Sequence, residues 1–168
     1  MSHHAVFLDR DGVINKYRSD YVKNLQEFEI LPDIHCYLKE LVDLGFKLIV
    51  ITNQSAINRG LLTIDELLGI HQYLIDELSR LNCQIQDIFF CPHRPDENCE
   101  CRKPKAKMFL DAAKKHNIDL VNSWVIGDSQ TDIQAANKIG CRGIKIATNT
   151  SLKKAVEMIR AQLRNENT

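Results

Sequence analysis

The chain has 168 residues, enough for one domain that buries about 70% of its unfolded surface without disulfide staples. Lys plus Arg and Asp plus Glu each number 22, so the net charge is zero and no overall basic field recruits nucleic acid. The longest apolar runs, such as Leu48 to Ile51, are strand-sized, and no basic stretch followed by an apolar one opens the chain. A membrane span and a secretory signal are therefore not expected, and a cytoplasmic protein is.

Ala5 to Leu8 reads as a first buried strand. Residues 12–30 follow as a polar and aromatic excursion without helical period, expected to lie over the site as a loop or hairpin. Pro32 and Asp33 open an amphipathic helix whose apolar positions Ile34, Leu38, Leu41, Val42 and Leu44 keep helical spacing until Gly45 stops it. Lys47 to Thr52 has the continuous apolar character of a strand buried on both faces. Thr63-Ile64-Asp65-Glu66 is a capping box for a helix expected to run to about Leu81. Asp87 to Cys91 is a third strand, Cys91 to Pro104 an irregular loop, and Lys105 to His116 a helix. Trp124 to Gly127, Thr131 to Ile139, Gly143 to Ile146 and Ser151 to Leu163 then read as strand, helix, strand and helix. Strands alternating with helices imply right-handed crossovers and a parallel sheet in a three-layer α/β fold. No repeat, low-complexity tract or linker divides the chain, so residues 1–168 are expected as a single domain.

Three strands end in polar clusters: Asp9 and Asp11 after the first, Thr52-Asn53-Gln54-Ser55 after the second, Asp128 with Asp132 after the fourth. A parallel sheet puts these ends on one edge, where open α/β sheets hold their ligands. An isolated D-x-D is most often a pair of solvated turn aspartates. Two crowded carboxylates that do work share a cation, share a proton, or divide nucleophile and acid/base roles.

The segment from Cys91 to Cys101 carries a second signal. C-x-H, five residues, then C-x-C gathers Cys91, His93, Cys99 and Cys101 within eleven residues, the ligand set of a closed, structural tetrahedral zinc site. Such a zinc would stiffen a short loop, residues 91–104, that presents Arg102 and Lys103 directly after the last ligand. Cys36, Cys83 and Cys141 sit among apolar residues and are expected as buried small hydrophobes.

D-x-D-G after the first strand, Thr after the second, an intervening Lys and G-D-x-x-x-D after the fourth, in this order from Phe7 to Asp132, resemble the haloacid dehalogenase superfamily of phosphohydrolases. The resemblance implies a Rossmann-like sheet of strand order 3-2-1-4-5, no large cap domain, and magnesium-dependent hydrolysis of a phosphomonoester. It makes Asp9 the nucleophile that forms an aspartyl-phosphate and Asp11 the general acid and base. Magnesium would be held by the Asp9 and Asp128 carboxylates and the Asp11 carbonyl. Thr52 and Asn53 would donate to the phosphoryl oxygens, Lys103 would supply positive charge, and Asp132 would orient Lys103 or the metal waters.

The zinc loop followed by C-R-K-P narrows the resemblance to the branch of heptose-bisphosphate and histidinol-phosphate phosphatases. Asn53 to Gly60 resembles the heptose enzymes' N-Q-S-G-I-x-R-G, with Ala56 in place of glycine and Arg59 retained. The D-G-V-I-N opening and Tyr21-Val22 lean the same way, whereas the short gap from His93 to Cys99 is that of histidinol-phosphate phosphatases. Because the loop after the second strand is placed to meet the leaving group, removal of the 7-phosphate of D-glycero-D-manno-heptose 1,7-bisphosphate is expected, with histidinol phosphate and a polynucleotide 3′-phosphate as alternatives. By the same resemblance Arg18, Ser19, Asp20, Tyr21, Asn53, Gln54, Ser55, Arg59 and Arg102 line the substrate pocket. The expected partner is a sugar bisphosphate, with no nucleic acid and no membrane, acting on a monomer.

Overall fold

The computed structural model describes residues 2–166. Five parallel strands, β1 (Ala5–Leu8), β2 (Lys47–Asn53), β3 (Ile85–Cys91), β4 (Trp124–Gly127) and β5 (Arg142–Lys145), form one sheet in the order β3-β2-β1-β4-β5. β1 sits at the centre, with Phe7 level with Ile49 on one side and Val125 on the other. The chain grows outward from β1 to β3 and then returns to lay β4 on the opposite side of β1. That reversal opens a crevice at the carboxyl ends of β1 and β4.

The helices α1 (Ile34–Asp43), α2 (Ile64–Ser79), α3 (Lys107–His116), α4 (Gln130–Ile139) and α5 (Lys153–Glu166) cover both faces. Period-two alternation divides the strand residues between two cores. Val6, Leu8, Leu48 and Val50 pack with Leu38 of α1, Leu67 and Leu74 of α2, and Val156 of α5. Phe7, Ile49 and Ile51 pack with Met108 and Phe109 of α3 and Ala135 of α4. This two-sided burial is why β1 and β2 read as unbroken apolar runs. The Phe7 and Phe109 rings meet edge-on with centroids 5.3 Å apart, and truncating either to alanine is expected to cost about 3–5 kcal/mol.

Local chemistry sets the helix ends. Thr63 Oγ1 accepts from Glu66 N at 3.2 Å while the Glu66 carboxylate accepts from Thr63 N at 2.8 Å, so the capping box forms. β3 begins at Ile85 rather than Asp87, and α3 at Lys107 rather than Lys105, because residues up to Ala106 belong to the turn that leaves the cysteine loop. Residues 12–30 are a strap rather than a regular hairpin, with an antiparallel bridge between Asn15 and Ile30 and a 3-10 turn at Leu25–Glu27 capped by Asn24. Cys83 and Cys141 are buried as expected, but Cys36 is exposed on α1, its Sγ 3.3 Å from His35 Nε2. The apolar residues of α1 that turn inward are Ile34, Leu38 and Leu41, so position 36 lies on the opposite side.

Candidate active site

The crevice widens into a cavity of about 530 Å³ lined by the ends of β1, β2 and β4, the strap and the cysteine loop. Asp9 follows β1 directly. Its Oδ1 accepts from Lys103 Nζ and from Arg10 N, both at 2.9 Å, while its Oδ2 has no hydrogen-bond partner among the described residues. Burial, reinforced by the Asp132 and Asp11 carboxylates, pushes Asp9 up to about 7 against the pull of Lys103.

Lys103 directs its ammonium at three acceptors: Asp9 Oδ1, the Ile51 carbonyl at 2.7 Å and Asp132 Oδ1 at 2.7 Å. Burial works against its charge, but Asp9 and Asp132 outweigh it and hold the pKa above the usual lysine value. Asp132 is also the capping-box residue of α4, accepting from Ser129 N and Oγ at 3.1 and 2.8 Å. It can lie this close because Gly127 has no side chain: a Cβ there would sit 2.2 Å from Asp132 Oδ2.

Asp11 is held through both oxygens. Oδ1 accepts from Arg10 Nη2 at 2.9 Å and Asn15 Nδ2 at 3.0 Å, and Oδ2 accepts from Gln54 Nε2 at 2.7 Å. Burial would raise its pKa, but Arg10, Asn15 and Gln54 more than offset that and keep it below the usual carboxylate range. Asp128 faces this pair across the crevice, its Oδ2 accepting from Thr148 Oγ1 at 2.8 Å. Gly12, at φ +84°, lets the backbone turn against it, since a Cβ would meet Asp128 Oδ2 at 2.2 Å.

Oxygens of Asp9, Asp128 and Asp132 lie within 4.8 Å of one another. Three carboxylates here face one ammonium, that of Lys103, and the donor set is all oxygen. Both features suit a hard divalent cation.

Several expected residues are placed differently from a simple pocket lining. Thr52 is fully buried beneath the cavity, its hydroxyl accepting from Gln54 Nε2 at 2.8 Å. Asn53 uses its side-chain amide on the Lys103 main chain, with N to Oδ1 at 3.0 Å and Nδ2 to O at 3.3 Å. Arg18, Ser19, Tyr21, Asn53, Gln54, Ser55, Arg59 and Arg102 do line the cavity, whereas Asp20 lies outside it and pairs with Arg18 and Lys23. Tyr21 holds a left-handed φ of 68°, its carbonyl accepts from Arg18 Nε at 3.2 Å, and the Arg59 guanidinium stands 5.6 Å over its ring. Ala56 is not among the positive-φ residues, so replacing glycine there carries no strain. Tyr17, Thr131 and Thr148 also line the cavity. Thr148 had no signal beyond following the last strand, and Arg10 carried only its place between the two aspartates.

The cysteine loop closes on itself. Cys91 Sγ lies 3.4 Å from His93 Nδ1, 3.6 Å from Cys99 Sγ and 3.0 Å from Cys101 Sγ. Cys101 Sγ lies 3.3 Å from His93 Nδ1 and 3.7 Å from Cys99 Sγ. These separations resemble the roughly 3.8 Å edge of a tetrahedron with metal–sulfur bonds of about 2.3 Å. The loop is tied to the one after β2 by Gln54 N to the Cys91 carbonyl at 2.7 Å and by Asn58 Nδ2 to Glu97 at 3.0 Å. Arg102 Nη1 donates to the His93 carbonyl at 3.1 Å, which turns its side chain along the cavity wall.

A sheet of this order with carboxylates at the ends of its two central strands defines a haloacid dehalogenase-like hydrolase, and residues 100–164 match the family model of HAD-hydrolase-like proteins. The chain is 43% identical over 150 residues to the D-glycero-β-D-manno-heptose-1,7-bisphosphate 7-phosphatase of Helicobacter pylori strain J99, covering 89% of this chain and 86% of that one. It is 37% identical over 150 residues to the corresponding α-anomer phosphatase of Photorhabdus laumondii, covering 83% and 81%. The crystal structure of D,D-heptose 1,7-bisphosphate phosphatase from B. bronchiseptica, complexed with magnesium and phosphate, superposes with a TM-score of 0.82 at 34% identity, covering 92% and 86%. The chain belongs to this heptose-bisphosphate phosphatase family of haloacid dehalogenase-like hydrolases.

Proposed function

We propose that this protein hydrolyses the 7-phosphate of D-glycero-D-manno-heptose 1,7-bisphosphate through an aspartyl-phosphate on Asp9. The observation that carries the reading is the division of Asp9: Oδ1 is fixed by Lys103 and the Arg10 amide, which leaves Oδ2 as the attacking atom at the cavity floor. Oδ2 forms the new bond to phosphorus as the ester P–O bond breaks, and Asp11 delivers a proton to the departing alkoxide. A phosphoryl dianion arriving beside Asp11 raises its proton affinity, as like charges do. In the second half-reaction Asp11, again a carboxylate, takes the proton from the water that attacks phosphorus, and inorganic phosphate leaves.

Magnesium would be held by the Asp9 and Asp128 carboxylates and the Asp11 main-chain carbonyl, where it would neutralise charge on the phosphoryl group. Lys103, oriented by Asp132, adds a fixed positive charge to the same group. Thr52 supports the site from below by holding Gln54, and Asn53, on the cavity wall, holds the Lys103 main chain. The rim residues Arg18, Ser19, Tyr21, Ser55, Arg59 and Arg102 offer the sugar and its second phosphate charge and hydrogen bonds. Zinc fits Cys91, His93, Cys99 and Cys101, with the structural task of fixing the loop that carries Arg102 and Lys103.

The names of the relatives support the heptose substrate over histidinol phosphate despite the short cysteine loop. A single domain acting as a monomer is part of this proposal. No helix among the described residues is long and apolar enough to cross a membrane, which is compatible with the cytoplasm. With magnesium present, kcat/KM for the heptose bisphosphate is expected to exceed that for histidinol phosphate by about 100-fold or more. The reverse order overturns the substrate, and unchanged turnover by D9N overturns the nucleophile.

A further inference from the structure

Arg10 is the largest fully buried side chain among the described residues, and the reaction just described uses only its main-chain amide. Its guanidinium is engaged at both ends. Nη2 bridges Asp11 Oδ1 at 2.9 Å and Gln54 Oε1 at 3.2 Å, Nη1 lies 3.1 Å from His71 Nε2, and the Phe28 ring lies 5.4 Å from Cζ. Nε has no partner. Burying an arginine this way is costly unless the groups it organises matter. Of the two groups on Nη2, one is Asp11 and the other is the glutamine that donates to the second Asp11 oxygen.

His71 lies behind this network, outside the cavity lining, on the inward face of α2 with Leu67 and Leu74. A histidine facing Arg10 must present an unprotonated nitrogen, so Nε2 accepts and the ring proton resides on Nδ1. Burial, then the neighbouring guanidinium, holds the imidazole pKa down to about 3, and the ring is neutral wherever the enzyme is folded near neutrality. Phe90 packs against it edge-on at 6.0 Å, and helix α2 fixes its backbone.

We infer that His71 is a positioning residue for the acid/base aspartate: it accepts from Arg10 Nη1, which sets the guanidinium plane so that Nη2 reaches both Asp11 and Gln54. The inference rests on the reading of Asp11 as acid and base. Without the His71 acceptor the guanidinium turns about its last bond in search of a partner, and the contacts on Nη2 turn with it. Asp11 keeps Asn15 and Gln54, so its aim loosens rather than vanishing.

The test is the dependence of kcat/KM on the leaving group, because kcat/KM covers the steps through departure of that group. A sugar alkoxide needs a proton to leave, whereas p-nitrophenolate does not. H71F is expected to lower kcat/KM for the heptose bisphosphate about tenfold and for p-nitrophenyl phosphate by less than about threefold, a split that general acid catalysis predicts and a packing defect does not. H71Q, whose Oε1 can accept from Arg10, is expected to recover most of the loss. If H71F does not fold, judged by its melting curve, H71L takes its place. An equal fall on both substrates, no fall, or H71Q no better than H71F overturns the inference. D11A separates the two readings. If D11A shows no leaving-group split, the acid role of Asp11 fails. If D11A splits the substrates and H71F does not, only the role of His71 fails.

Discussion

At the cavity floor Lys103 directs its ammonium at Asp9, Asp132 and the Ile51 carbonyl, whereas at the rim Arg59 has a tyrosine ring 5.6 Å away and a 3.4 Å contact to Ser55. The floor groups are buried, interlocked and positioned before any substrate arrives, which is how electrostatic stabilisation avoids reorganisation during reaction. Arg59 stands at the open side on a long, lightly tethered side chain. Chemistry and substrate choice are thus built at different stiffness within one cavity. Substitutions at the floor should act on kcat and on stability together, and those at the rim on KM.

The sharpest division is expected from D9N, which should lower kcat by about 1,000-fold or more and leave no phosphorylated protein on acid quench. K103M should cost about 100-fold in kcat through lost charge on the phosphoryl group. It should also destabilise the fold by roughly 3–5 kcal/mol, because Asp9 and Asp132 would be buried without their cation. A denaturant melt showing K103M as stable as the parent would break the claim that floor and fold are one construction.

The cysteine loop lies between the two regimes. If zinc holds it, the double substitution C99S/C101S should remove about one zinc per chain by elemental analysis. A stability loss of about 3 kcal/mol would lower Tm by roughly 6–12 °C. Magnesium alone should not restore the lost activity. R59A, a pure rim change, should raise KM about tenfold for the bisphosphate with kcat within about twofold, the size of one charge-assisted hydrogen bond. An R59A effect confined to kcat would place Arg59 with the floor instead.

The last effect is a pH slope. Between pH 6.5 and about 3 the unfolded chain protonates His71 and the folded chain does not, so stability falls as pH drops through that window. The slope is about 1.4 kcal/mol per pH unit for this one group. H71Q lacks that uptake, and its stability relative to the parent should improve as pH falls. Parallel curves from chemical melts would remove the buried neutral histidine from the account.

Much of this was legible in the sequence because the signals were local. Apolar runs of strand length, the Thr63 to Glu66 capping box and the order of Asp9, Asp11, Thr52, Lys103 and Asp128 are each set by neighbouring residues, and together they specify an α/β sheet with one reactive edge. The spacing of Cys91, His93, Cys99 and Cys101 is local too, and their side chains do meet. Other features depend on which distant surfaces come together. No window of sequence says that Cys36 turns outward, that Thr52 lies under the cavity, or that Asn53 uses its amide on the Lys103 backbone fifty residues away. The same holds for the pairing of Arg10 with His71 across 61 positions, where a histidine among leucines on a helix reads as ordinary core until packing sets it against a buried charge. Side-chain identity fixed which groups could do chemistry, but partner choice followed from the sheet order and the close packing of α2 against it, since a buried polar group takes whichever partner folding brings within reach.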